Sequence, residues 1–194
     1  AQDVIAQVID KSTMSVEDRA FATLLALGTV SARGTLDEII DRALDTPEDI
    51  FRETRDALQI STYELIFLGK EAHAAVDQGV EMVKSFSPGP AARVANAVLH
   101  KIVRLRIDFP FGNPATDLDA LARTQAFPTW MAKKLMEEMG PQAAIEFMRA
   151  SNEQAPLYVA VNACKVDDDH VLKAFERAEE EVSQLEYGKS ITDA

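Results

Sequence analysis

Helical spacing of apolar residues is clearest in the segment that spans residues 72–105. In residues 91–105 one side of the helical wheel is apolar and the other side is polar. The apolar side holds Val94, Ala95, Val98, Leu99, Ile102 and Leu105. The polar side holds Arg93, Asn96, His100 and Arg104, with Lys101 close by. A Ser-Pro-Gly-Pro break at residues 87–90 separates this helix from one over residues 72–86, because proline and glycine do not continue a helix.

Small residues in the first helix of this pair predict how the two helices pack. Ala74, Ala75 and Gly79 leave room for the second helix to come close. We therefore expect the helices over residues 72–86 and 91–105 to be the central elements of a helical bundle.

Apolar periodicity and capping residues predict helices through most of the remaining chain. Ser15 suits an N-cap, residues 35–38 (TLDE) match a capping box, and Pro47 suits the first position of a long helix. The predicted helices outside the central pair cover residues 2–9, 16–34, 35–44, 47–67, 117–126, 129–140, 141–152 and 167–185.

One β-strand is predicted, at residues 156–161, where β-branched and aromatic residues lie between a proline and polar residues. The fold class that follows is all-α, with one short strand near the C-terminus. We divide the chain into a helical domain at residues 1–110 and a second part at residues 111–194. The second part is interpreted as a helical extension and the start of a linker or of a second α/β subdomain.

The charge distribution excludes a general electrostatic attraction to nucleic acid, because the formal net charge is -12. One segment departs from this acidity, since no Asp or Glu lies between Glu81 and Asp108. Five basic residues of this segment form what we call the basic segment: Lys84, Arg93, Lys101, Arg104 and Arg106. Two interpretations stay open, a local salt-sensitive surface for phosphates or the solvated outer face of a core helix.

Residue types that carry redox or metal chemistry are sparse. The chain has one cysteine, Cys164, and three widely spaced histidines, which predicts neither a disulfide nor a local metal motif. We interpret Cys164 as a small, partly buried residue and Trp130 as an anchor of a second helical core. No apolar run approaches the roughly 20 residues of a membrane span, and no signal peptide is visible. The expected setting is the reducing cytoplasm.

Several segments, taken in order and spacing, resemble the NusB family of helical domains. They are EDRAFATLLALGTVSARGTLD, LQISTYELIFLGKEAHAAVDQGVEMVK and VANAVLHKI. FPTWMAKKLMEEMG and SNEQAPLYVAVNACK are similar to the segment that joins a NusB-type domain to the catalytic domain in bacterial ribosomal RNA cytosine-C5 methyltransferases of the Fmu/Sun type. The resemblance covers roughly residues 15–175. It implies an all-helical, two-subdomain bundle that positions ribosomal RNA and is related to transcription antitermination proteins.

The chain departs from this family at several positions. Arginine is usual in the family where this chain has Ser31, Gln59, His100 and Ala160, and proline is usual at Glu71. Each arginine would supply a bidentate partner for a phosphate or a carboxylate that a neutral residue does not replace. The departures therefore leave open whether RNA binding persists, and the RNA target also stays open.

The chemistry of the family, as the resemblance implies it, uses S-adenosylmethionine and a cysteine nucleophile. The cofactor requires a glycine-rich loop after a strand, and none of the eight glycines forms a G-x-G motif. Cys164 lies in NACKVD, without the Pro-Cys context of the nucleophile. We therefore predict that this chain is not an enzyme and holds no cofactor. S-adenosylmethionine is expected only if a catalytic domain follows residue 194.

Two functional hypotheses follow. The first is a non-catalytic RNA-binding module that binds ribosomal RNA weakly, through phosphate contacts. Its candidate RNA-binding residues are Lys84, Arg93, Asn96, Lys101, Arg104 and Arg106. The alternative is a protein-interaction module whose acidic surface pairs with a basic partner such as a ribosomal protein. Its candidate acids are Glu38, Asp41, Glu48, Asp49 and Glu53. Neither hypothesis involves a membrane, and both allow a monomer or a homodimer.

Overall fold

The computed structural model describes residues 2–87, 89–153, 160–162 and 164–177 of the chain. These residues form ten α-helices and one short 3₁₀ turn, with no strand among them, which confirms the all-α fold class. The helices are α1 (Gln2–Asp10), α2 (Val16–Ser31), α3 (Arg33–Ala43), α4 (Arg52–Ile66), α5 (Ala72–Phe86), α6 (Pro90–Leu105), α7 (Leu118–Thr124), α8 (Thr129–Met139), α9 (Pro141–Asn152) and α10 (Asp168–Arg177). The chain divides into two compact units, Ala1–Glu153 and Gln154–Ala194.

The main core of the first unit forms around α5 and α6. Buried apolar residues from α3, α4, α5 and α6 make one cluster, in which Val83, Leu99 and Ile102 are fully buried. Gly79 permits the close approach of these helices, because a Cβ atom there would collide with Ser61 of α4 and with Leu99 of α6. The prediction that α5 and α6 are the central elements is confirmed.

The two sides of α6 separate almost as predicted. Four residues of the apolar side are buried: Ala95, Val98, Leu99 and Ile102. Four residues of the opposite side are exposed: Arg93, Asn96, His100 and Arg104. We call this second set the α6 polar face. Val94 is an exception, since 44% of it is exposed. It follows Arg93 directly, so it lies beside the polar face rather than over the core.

Capping residues predicted one helix start correctly and two incorrectly. The backbone N–H of Asp18 donates to Ser15 Oγ over 3.1 Å, so Ser15 is the N-cap of α2. Thr35 does not cap a helix, because α3 already begins at Arg33 and Thr35 is buried inside it. Pro47–Asp49 forms a separate 3₁₀ turn, and the long helix α4 begins only after it.

Residues 108–114, which lie between two predicted helices, form an irregular segment. It contains a cis peptide bond between Phe109 and Pro110, and Phe111 has a φ of 61°. The rings of Phe109 and Phe111 meet edge to face with centroids 5.8 Å apart, and both pack against the main cluster. The segment is therefore held on the core by its aromatic residues.

A smaller apolar cluster joins α7, α8 and α9. Leu121, Ala132 and Met148 are buried in it. The prediction that Trp130 anchors this core is wrong, because 68% of Trp130 is exposed. Trp130 precedes Ala132 by two positions, about 200° around the helix, so it points away when Ala132 points inward.

The described part of the second unit contains α10. Asp167 Oδ1 accepts a hydrogen bond from the backbone N–H of His170 over 2.7 Å, which fits the helix predicted to begin at residue 167. Cys164 is exposed, so its interpretation as a partly buried residue is wrong. The strand predicted at residues 156–161 lies for the most part outside the described residues. The domain boundary at residue 110 stays a prediction. Within the part of the chain that the structure describes, no helix is long and apolar enough to cross a membrane.

Candidate nucleic-acid interface

The α6 polar face is a straight strip of exposed side chains. Arg93 and Arg104 are eleven positions apart, which is close to three full turns, so they share one side of the helix about 16 Å apart along its axis. Asn96 and His100 lie between them, and all four residues are exposed. Each of them lies on the side of α6 that the core does not use.

The cations of the basic segment differ in their partners. Lys84 Nζ lies 2.6 Å from Glu81 Oε1, and Lys101 Nζ lies 2.9 Å from Asp45 Oδ1. Arg106 Nη1 donates to the backbone carbonyl oxygen of Lys70 over 3.3 Å.

Arg93 and Arg104 have neither an ion pair nor a side-chain hydrogen bond among the described residues. Their guanidinium groups are therefore available to an external anion without the loss of an internal partner.

A cavity of about 560 Å³ lies at the start of α6. It is lined by Val80, Lys84, Gly89, Ala92, Arg93 and Asn96. The structure thus brings together three predicted RNA-binding residues at this cavity, whereas Lys101, Arg104 and Arg106 do not line it. The side chain of Asn96 makes no hydrogen bond to a neighbouring helix in the described part of the chain.

The acidic residues of α3 are largely paired with residues of the same chain. Asp37 accepts hydrogen bonds from Arg55 (3.2 Å) and from Gln59 Nε2 (2.7 Å). Asp41 Oδ1 lies 2.7 Å from Arg55 Nη1. Burial alone would lower the pKa of Arg55, but hydrogen bonds and charges from Asp41 and Asp37 outweigh it and raise the pKa. Asp41, a candidate contact for a basic protein, is thus already paired.

Glu38 is another acid of α3 with internal partners. Its carboxylate lies 2.8 Å from Arg42 Nη2 and 2.9 Å from Arg123 Nε. Burial alone would raise the pKa of Glu38, but hydrogen bonds from Arg42 and Arg123 and the charges of both groups outweigh it and lower the pKa. Arg123 also donates to the carbonyl oxygen of Pro110 over 3.0 Å. This cluster fastens α7 and the 108–114 segment to α3.

The positions that depart from the family's arginines have different surroundings. Gln59 is buried and bonds to Asp37, so its role here is structural. Ser31 lines a second cavity of about 240 Å³ beside Arg123. Ala160 is exposed in the second unit, and His100 is exposed on the α6 polar face. Only the change at His100 removes a charge from the candidate interface.

Other chemistry finds little support among the described residues. They contain no group of three or more His, Cys, Asp or Glu side chains that could hold a metal ion. They also contain no strand that a glycine-rich loop could follow. The glycines with positive φ lie between helices or in the 108–114 segment: Gly69, Gly89, Gly112 and Gly140.

Comparison with known proteins gives two family matches. The profile of the NusB family matches residues 1–104. The ferredoxin-like domain of RsmF/B-like methyltransferases matches residues 127–191. The sequence resemblance to a NusB-type domain and to the segment that joins it to a methyltransferase domain is confirmed.

Three relatives show how far the similarity extends. A Mycobacterium tuberculosis (strain H37Rv) protein, provisionally named methyltransferase Rv1407, is 32% identical over 146 residues, which are 72% of this chain and 32% of that protein. The Synechocystis protein named probable ribosomal RNA small subunit methyltransferase B is 29% identical over 168 residues, which are 83% of this chain and 36% of that protein. The transcription antitermination protein NusB of Nitratiruptor is 25% identical over 99 residues, which are 50% of this chain and 71% of that protein. The chain spans about a third of the length of the methyltransferase relatives.

The prediction that this chain is not an enzyme is contradicted by these relatives. Proteins named as methyltransferases align with 72% and 83% of it. The prediction rested on the missing G-x-G motif and on the surroundings of Cys164. Those absences were no argument against the enzyme class, since the similarity to methyltransferases extends over most of the chain without them.

Proposed function

Because the chain belongs to the NusB family, we propose that its first unit binds ribosomal RNA and positions it for a ribosomal RNA methyltransferase. The phosphates of the RNA contact the α6 polar face. The RNA is that of the small ribosomal subunit, and the methyl acceptor is C5 of a cytosine.

The observation that carries this proposal is the state of the two arginines on the α6 polar face. Arg93 and Arg104 are exposed and have no acidic partner among the described residues, whereas Lys84 and Lys101 are each paired with a carboxylate. A guanidinium group presents a planar set of donors that matches two phosphate oxygens. Their spacing of about 16 Å allows two separate phosphates of one RNA to be held.

The net charge sets the strength and the character of this contact. A chain of formal net charge -12 repels RNA at long range, so attraction acts only close to the α6 polar face. We expect weak binding that falls steeply as salt is added, because each phosphate contact releases condensed counterions. Phosphate contacts fix the register of the RNA and carry no base preference of their own.

The competing function, a docking surface for a basic protein, loses part of its surface in the structure. Glu38 and Asp41 are held in ion pairs with arginines of the same chain. Glu48, Asp49 and Glu53 are exposed near the start of α4. Three acids remain of the predicted five, so we favour RNA as the partner and treat a basic protein as the outcome to be tested against it.

The experiment is a salt titration of this chain with a structured fragment of small-subunit ribosomal RNA. The slope of log K against log salt should be shallower in the Arg93→Ala, Arg104→Ala double variant. The expected change is about 0.7–0.9 per lost contact, or about 1.5 for both. The fold should be unchanged, since both side chains are exposed.

A matched control is the Lys133→Ala, Lys134→Ala double variant. It removes the same number of positive charges from the exposed surface of α8, where each lysine faces a glutamate one turn later. Its slope should equal that of the wild type. Equal slopes for the wild type and the arginine double variant would refute the proposal, and so would an absence of binding at low salt.

The cofactor and the setting of the protein are further parts of the proposal. We propose that S-adenosylmethionine supplies the methyl group. The described residues contain no strand followed by a glycine-rich loop, so we assign the cofactor to other residues. A cytoplasmic setting follows from the ribosomal RNA partner and from the single cysteine. A monomer and a homodimer both stay predictions.

A further inference from the structure

We propose that the cavity at the start of α6 holds one unpaired nucleotide of the bound RNA. Its base lies against Val80 and Ala92, and its phosphate lies on Arg93. This inference rests on the proposed function and adds a preference to it, since a cavity that takes a single nucleotide distinguishes unpaired RNA from duplex.

The walls of the cavity suit a flat, largely apolar group. Ala92 is buried and Val80 is partly buried, and both belong to the main apolar cluster that fixes α5 against α6. Gly89 has no side chain to narrow the opening, and a Cβ atom there would meet open space. The space of about 560 Å³ is open to solvent, so it suits contact with one face of a flat base rather than a ligand enclosed on all sides.

The charged groups around the cavity suit a phosphate. None of its lining residues is acidic, and Arg93 has no acidic partner in the described part of the chain. Glu81, which follows Val80 in the chain, is paired with Lys84.

The first turn of α6 adds to this attraction. No side chain of the described residues caps it, and it contains no acid. Its first backbone N–H groups lack helical partners and favour an anion.

Asn96 gives the cavity a means of contacting the base. It is exposed, it lines the cavity, and its amide can both donate and accept hydrogen bonds. In a duplex, the base edges that such an amide would contact are already used for base pairing. In loops and single strands they are free. The cavity should therefore accept a nucleotide only where the RNA is unpaired.

The test compares two RNA probes at fixed low salt. One is a short oligoribonucleotide without self-complementarity, and the other is the same strand annealed to its complement. We expect the wild-type chain to bind the single strand more tightly. Asn96→Ala should weaken binding of the single strand about three- to tenfold, the range of one to two lost hydrogen bonds. It should leave binding of the duplex unchanged.

Two further variants keep the test decisive. Arg104→Ala removes a charge from the same face of α6 without touching the cavity, so it should weaken binding of both probes in equal proportion. Val80→Phe fills the cavity with a larger apolar side chain and should remove the single-strand preference, provided that circular dichroism shows an intact helical fold. Asn96 is exposed, so Asn96→Ala should leave the fold intact and its result does not depend on Val80→Phe.

The outcomes separate this inference from the proposed function. Equal affinity of the wild type for both probes would overturn the nucleotide pocket and leave the phosphate contacts intact. An Asn96→Ala variant that binds the single strand as well as the wild type does would overturn it too. Failure to bind either probe would overturn both proposals.

Discussion

Helices α3 and α6 pack on the same core and both present a charged side, yet their charges differ in availability. Every charged residue of α3 has an internal partner. They are Arg33, Asp37, Glu38, Asp41 and Arg42. On α6, Lys101 is paired, whereas Arg93 and Arg104 have no ion pair with the described residues. The number of charges on a surface therefore does not tell how many of them can bind a partner.

The difference has a physical basis in solvation. Arg55 and Arg123, which hold the α3 acids, have side chains that are only 18% and 14% exposed. Removal of the acids from such a site would leave a poorly solvated guanidinium group, so these pairs matter for stability. The arginines of the α6 polar face are hydrated, and their substitution should cost little stability. We therefore assign the charges of α3 to folding and those of the α6 polar face to binding.

The largest effect is expected from Arg55→Ala, which leaves Asp37 and Asp41 without their main cationic partner. We expect the free energy of unfolding to fall by about 1.5–3 kcal/mol, the range for hydrogen bonds to charged groups. The affinity for RNA should not change. The measurement is urea unfolding, with Arg52→Ala as the control. Arg52 is exposed on the same helix, so its substitution should lower the free energy of unfolding by less than about 0.5 kcal/mol. Equal losses in the two variants would contradict the assignment.

A smaller effect is expected from the pH dependence of the Glu38 cluster. Because the pKa of Glu38 is lowered in the folded chain, the unfolded chain binds more protons in acid, and stability rises with pH. The contribution is fully present above the usual glutamate pKa of about 4.3 and is lost as pH falls through the lowered pKa. Glu38→Gln should cost about 1 kcal/mol at neutral pH, since the carboxylate is partly solvated.

The measurement for this cluster is the stability difference between the wild type and Glu38→Gln at several pH values. That difference should shrink as the solution becomes more acidic. A difference that stays constant from neutral pH to below pH 4 would mean that the charge of Glu38 contributes nothing.

The smallest effect is expected from Asp45→Asn, which turns a paired cation of the basic segment into an unpaired one. Asp45 is 92% exposed, so the substitution should hardly change stability. Lys101 would then be free for a phosphate, and we expect RNA affinity to rise about two- to threefold, as for an exposed pair worth under 1 kcal/mol. Glu137→Gln is the matched control, because it releases Lys133 on α8 with the same change in charge. An equal gain in both variants would show a general effect of net charge.

The central part of the fold could be predicted from local patterns. The Ser-Pro-Gly-Pro break and the helical period defined α5 and α6, and Ser15 marked the start of α2 correctly. The misplaced helix start at Thr35 has a tertiary cause. Helix α3 already includes Thr35, because the core buries the whole inner side of this helix. A capping residue predicts where a helix starts only if burial of the neighbouring residues does not favour a different starting position.

The α6 polar face could also be predicted, but its pairing could not. Lys84 and Glu81 lie three positions apart on one helix, so this pair was visible in the sequence. Lys101 and Asp45 are 56 positions apart, and Arg123 and Glu38 are 85 apart, so only the fold reveals those partners. Sequence alone counted five cations, and the structure distinguishes the two without acidic or backbone partners in its described part.

The most direct test of the account is a map of the RNA contact by nuclear magnetic resonance. An isotopically labelled chain would be titrated with single-stranded ribosomal RNA, and the backbone amide signals would be followed residue by residue. We predict shifts along the α6 polar face and at Lys84, and none at the paired acids of α3. Shifts confined to the acidic turn at Pro47–Asp49, or spread evenly over the surface, would contradict the assignment of RNA binding to the α6 polar face.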